Sequence, residues 1–129
     1  MSCFWDAIRA SLTNKELEFM GVKKNSPPIE IIKAFQKHNR PCLSVLWNNQ
    51  RLSRNNLREN FKWVCEYKES GTNGHMTSTC DPFLCLIVEL FCVKIQHKYL
   101  NNLITYTHSC QKHVRSINYN SNKGHFSLG

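Results

Sequence analysis

The chain has 129 residues, the length of one ordinary domain with a single core, and its 41% hydrophobic and 20% charged residues are the composition of a chain that folds. Seventeen Lys and Arg against nine Asp and Glu give a formal charge of +8, which admits nucleic acid, an acidic protein or anionic lipid as partner without selecting among them. The longest strongly apolar run, Pro82 to Val93, contains Glu89 and falls short of the roughly 18 to 20 residues a membrane span needs, so no membrane partner is expected.

The opening residues carry Asp6 and Arg9 early and lack the apolar stretch of a secretory signal, which points to an intracellular, cytoplasmic and reducing compartment. Seven cysteines (Cys3, Cys42, Cys65, Cys80, Cys85, Cys92 and Cys110) form an odd set without a regular framework, unlike a secreted disulfide scaffold. There is no CxxC pair. The nearest approach to a metal cluster, His75 and Cys80 with Cys85, lacks zinc-ligand spacing, so neither metal nor cofactor is expected, and a Cys/His metal protein stands as a third alternative.

In chain order, Phe4, Ile8 and Leu12 recur at helical spacing from Cys3 onward, with Trp5 beside them. Thr13 and Glu16 form a capping-box pair that opens a second helix, ended by Gly21 after Met20. Pro27 and Pro28 suit the first turn of a third, whose stripe is Ile29, Ile32 and Phe35. Cys42 to Trp47 reads equally as strand or helix. Beyond the polar run Asn48 to Asn56, Leu57, Phe61 and Val64 return to helical spacing, and Glu69 to Thr79 reads as a loop.

Asp81 followed by Pro82 is a strong helix start, and the run that follows is apolar on nearly every side, predicting a buried central helix with Glu89 as its one internal charge. The period then changes to two. Val93, Ile95, His97 and Tyr99 alternate with polar residues, Asn101-Asn102 turns the chain, and Leu103 to His108 returns. Val114 to Asn120 is a further strand, Ser121 to Gly124 a turn, and His125 to Leu128 the last strand. The expected architecture is α+β, with a helical N-terminal part followed by a small antiparallel β-meander, all in one domain, residues 1–129. Trp5, Trp47, Phe61, Trp63 and Phe91 are expected in the core.

Two residue types in this pattern carry chemistry. A cysteine at a helix N-terminus faces unpaired backbone N–H groups that favour thiolate, and Cys3 alone is so placed by a clear pattern; Cys42, Cys65, Cys85 and Cys92 read as packing residues. A nucleophilic cysteine needs an imidazole brought close by the fold. His125 opens a terminal strand after a turn glycine, whereas His97 and His108 sit inside strands and His38, His75 and His113 read as surface residues.

Three segments together resemble the ovarian tumour (OTU) family of papain-like cysteine proteases. Cys3-Phe4-Trp5 is similar to the family's Cys-[Leu/Phe]-[Phe/Trp] box at the nucleophile helix, Asp81 to Ile95 to its central helix running into a strand, and Gly124-His125-Phe126 to its Gly-His-[Tyr/Phe] box. The segments occur in the family's order. The resemblance implies a papain-like OTU-type fold and a deubiquitinase-like isopeptidase acting on ubiquitin or a ubiquitin-like modifier. Cys3 would be the nucleophile, His125 the general base and Ser127, or Asn118 or Asn120 on the neighbouring strand, the orienting group.

The family's Asp-Gly stretch ahead of the cysteine has no counterpart in Met1-Ser2, so a weakened or silent enzyme belongs to the expectation. The small, Asn-rich, Cys-rich character is similar to OTU-type proteins of large DNA viruses, which implies host cytoplasm as the site of action. A monomer is expected. Glu16, Glu18, Glu30, Glu59, Glu66 and Glu69 are the acids available to meet the basic tail of ubiquitin. The alternative is a non-catalytic basic binding module that engages nucleic acid or an acidic protein.

Overall fold

The computed structural model describes residues 3–68, 80–122 and 125–129, with Cys3 described by its backbone. The expected loop from Glu69 to Thr79 and the glycine at 124 lie outside them. Helix α1 (Cys3–Ser11) buries Phe4, Trp5, Ala7 and Ile8, the stripe its periodicity predicts. Helix α2 (Asn14–Met20) begins with a full capping box: the Thr13 hydroxyl accepts the Glu16 N–H at 3.2 Å, and the Thr13 N–H donates to Glu16 Oε1 at 2.9 Å. Gly21 ends it at φ +77°, a conformation that strains any residue with a Cβ.

Helix α3 (Pro28–Lys37) buries Ile31, Ile32, Ala34 and Phe35. The expected stripe is therefore rotated: Ile29 sits in the first turn on the shoulder of that face and is exposed. The ambiguous segment resolves into a hairpin of β1 (Val45–Trp47) and β2 (Gln50–Arg51), with Trp47 opposite Gln50. Its two-residue connection, Asn48-Asn49, has both residues at positive φ, the geometry that matches the twist of paired strands and that Asn tolerates.

Helix α4 (Arg54–Glu66) is capped by Ser53, whose hydroxyl accepts the Asn56 N–H at 3.0 Å. Its apolar face is only partly covered: Val64 is buried, but Phe61 and Trp63 are about two-fifths exposed and lie at the margin of the core, not within it. Helix α5 (Pro82–Phe91) is the buried centre. Asp81 caps it by accepting the N–H groups of Phe83 and Leu84, and every side chain from Phe83 to Val88 is fully buried. Glu89 accepts the Ser44 N–H at 2.9 Å, so the helix's one charge anchors the entry to β1.

Strands β3 (Lys94–Tyr99), β4 (Asn102–His108), β5 (Ser116–Asn122) and β6 (His125–Leu128) join the hairpin in one six-stranded sheet of order β2-β1-β4-β3-β5-β6. The class is α+β as expected, but the meander is corrected in two ways. A strand pair interrupts the helical half, and β5 lies parallel to β3, Ile95 beside Ile117 and His97 beside Tyr119. The reason is edge occupancy. A meander would seat β5 beside β4, but β1 already fills that edge, Val45 pairing with His108, so β5 takes the free edge of β3. β5 also runs on through Ser121 and Asn122, which were expected in the turn. One continuous apolar cluster joins α1, α3, α5 and the inner face of the sheet.

Candidate active site

Helix α1 is held on the inner face of the sheet at both ends. Near its C-terminal end the Ser11 and Tyr119 hydroxyls are hydrogen-bonded, 2.5 Å apart and buried, and Arg115 donates to the Ser11 carbonyl at 2.7 Å while pairing with Glu16. In the first turn of α1, the Trp5 indole N–H donates to the hydroxyl of Tyr67, at the end of α4, at 3.0 Å. At the N-terminal end the Phe4 ring meets the Phe126 ring, with centroids 4.8 Å apart. A buried hydroxyl pair and a buried aromatic pair together fix where α1 begins relative to β6.

Strand β6 is an edge strand, paired on one side with β5 through Asn122–His125, Ser121–Phe126 and Asn120–Ser127. Successive side chains leave a strand on opposite faces, so Phe126 turns into the core under α1 while His125 and Ser127 share the other face. The burial follows that alternation: His125 is exposed, Phe126 buried and Ser127 half-buried. Asn120 stands opposite Ser127 and is exposed, as is Asn118, whose carbonyl accepts the Gly129 N–H at 2.9 Å. Of the expected set, the fold packs α1 against β6, and His125, Ser127 and Asn120 share the face of the sheet turned away from α1. Asn118 lies further along β5.

The other described histidines are engaged elsewhere. His97 is buried, its Nε2 2.6 Å from the Ser121 hydroxyl, while its Nδ1 has no partner among the described residues; burial holds its pKa below the ordinary value. His38 is half-buried against Phe19, and His113 accepts the His108 backbone N–H. His75 lies outside the described residues.

Among the cysteines, Cys42 is buried, and that burial pushes its thiol up to about 12, the mark of an inert packing residue. Cys85 is fully buried, with its sulfur 3.2 Å from that of half-buried Cys80, and the hydrogen bond between them favours the thiolate on Cys80. Cys65 was expected in the packing but is exposed on α4, touched by the Asn39 amide.

No family model, curated protein or solved structure matches this chain.

Function is therefore read from its own side chains. One group escaped the sequence reading altogether: Cys92, His108 and Cys110, whose donor atoms all lie within 4.8 Å of one another. Cys92 was expected to be a packing residue, but it is half-buried at the end of α5 with its sulfur 3.0 Å from that of Cys110. The signal was present in the hairpin. The turn falls at Leu100-Asn101, one residue before the expected Asn101-Asn102, and once Ile95 pairs with Tyr106 the residues just before β3 must lie beside those just after β4.

Proposed function

We propose that the chain is a thiol-dependent hydrolase of the ovarian tumour type, an isopeptidase that removes ubiquitin or a ubiquitin-like modifier, with Cys3 as nucleophile and His125 as general base. One observation carries the reading: Phe4 packs on Phe126, so the residues that directly follow Cys3 and His125 are in contact across two elements more than a hundred positions apart in the chain. His125 adds to it by being the described histidine that is exposed, on the strand whose inner face packs against α1.

In this mechanism the imidazole takes the thiol proton and the sulfur attacks the isopeptide carbonyl. The negative oxygen of the tetrahedral intermediate is stabilised by backbone N–H groups near Cys3. The imidazolium returns its proton to the departing lysine amine as the C–N bond breaks. Water, deprotonated by the same imidazole, then hydrolyses the thioester and releases the modifier's carboxylate. Ser127, or Asn120 opposite it, orients the ring.

The test is labelling by ubiquitin carrying a C-terminal electrophile, comparing wild type, Cys3→Ala and His125→Ala. The reading predicts an adduct that is lost in the first variant and slowed at least about 100-fold in the second. No adduct, together with nucleic-acid binding that weakens steeply with salt and survives Cys3→Ala, would replace it with a basic binding module.

A further inference from the structure

We propose that Cys92, His108 and Cys110 bind a zinc-type divalent cation, at a site separate from the proposed Cys3–His125 centre and independent of it. Two thiols and an imidazole are a soft and borderline donor set, which suits Zn²⁺ and excludes the oxygen-seeking Mg²⁺ and Ca²⁺. Their donor atoms all lie within 4.8 Å of one another.

The sulfur separation is informative. At 3.0 Å the Cys92 and Cys110 sulfurs are well beyond a bond of about 2.05 Å. Two thiolates on one tetrahedral zinc, each at about 2.3 Å, sit about 3.8 Å apart, so less than about 1 Å of adjustment separates the pair from a ligating arrangement. Cys110 is exposed and can supply that movement.

The backbone on both sides is already set. Cys92 takes the left-handed conformation at the end of α5, φ 52°, with its N–H bonded to the Val88 carbonyl at 2.9 Å and its carbonyl accepting the Val114 N–H at 3.0 Å. Gln111, just after Cys110, is also left-handed at φ 60°, which folds the connection to β5 back over Cys92. The His108 N–H donates to His113 Nε2 at 3.0 Å, fixing the last residue of β4. Non-glycine residues at positive φ are uncommon, and here two of them bracket one donor cluster.

The Cys110 N–H donates to His108 Nδ1 at 3.2 Å, which holds the ring beside the Cys110 sulfur, and ligation through Nδ1 would exchange that hydrogen bond for one to the ion. Three protein donors leave one tetrahedral position for water on the solvent side, beside Cys110. A bound ion would pin the end of α5 to the β4–β5 connection and so fix the start of β5, the strand that carries β6.

The experiment is a Co²⁺ titration of the full chain under reducing conditions, followed by displacement with Zn²⁺. The expected result is one Co²⁺ per chain with a sulfur-to-cobalt charge-transfer band and the strong visible bands of tetrahedral geometry, bleached by Zn²⁺. Cys110→Ser and His108→Ala should each lose the tetrahedral spectrum while keeping the wild-type far-UV circular dichroism. Cys65→Ser and Cys80→Ser should retain it. Absence of the tetrahedral spectrum in wild type, or its persistence in Cys110→Ser, would overturn the proposal.

Discussion

The rings of Phe4 and Phe126 meet at 4.8 Å, and this contact joins the first turn of the N-terminal helix to the last strand of the sheet. Each ring follows directly on a residue of the proposed catalytic pair, Cys3 and His125. The packing thus makes two ends of the chain into one locality, and the first prediction concerns its cost.

Phe126 is fully buried, in contact with Phe4 and, at 5.2 Å each, with Tyr119 and His97. Replacing it with Ala removes the whole ring from a packed site, so urea unfolding should show a loss of about 3–5 kcal/mol. Phe126→Leu should fold with a smaller loss and separate stability from site geometry. A Phe126→Ala protein as stable as wild type would mean that β6 does not hold α1.

Asp81 joins a helix cap to the core. Its carboxylate accepts the N–H groups of Phe83 and Leu84, and its own N–H donates to the buried Tyr106 hydroxyl at 3.0 Å. Asp81→Ala should lower the unfolding free energy by about 1–2 kcal/mol, and Asp81→Asn, which can still accept, by less. Equal losses in the two variants would show that the cap's hydrogen bonds are not what the carboxylate contributes.

The helical half was legible for a local reason. Caps and amphipathic stripes depend on residues three or four apart, so Thr13 with Glu16, Gly21, and Asp81 with Pro82 each marked a boundary that the fold keeps. The sheet was legible only as strands. Alternation fixes which side chains of β5 turn inward but says nothing of its neighbour, and the parallel pairing with β3 follows from β1 having taken the edge of β4. Asn48-Asn49 did carry a hairpin signal, hidden by the polar run around it. The Cys92, His108 and Cys110 cluster was missed because its spacing fits no local zinc motif and is created by hairpin register.

A pH dependence follows from His97. Burial lowers its pKa below the ordinary 6.5, so between these two values the unfolded chain binds a proton that the folded chain refuses. Stability from this group is therefore complete above pH 6.5 and falls as the pH drops toward the folded value. Urea midpoints measured from pH 7.5 to 5 should decline in wild type and decline less steeply in His97→Gln. Identical slopes would place the acid sensitivity elsewhere.

The most direct test of the account is the alkylation rate of Cys3 by iodoacetamide at neutral pH, read at that residue by peptide mapping, in wild type and in His125→Ala. The account predicts that Cys3 reacts faster than exposed Cys65 and slows at least about tenfold when the imidazole is removed, while Cys65 is unchanged. Equal Cys3 rates in the two proteins would contradict it, because a cysteine indifferent to His125 has no base there.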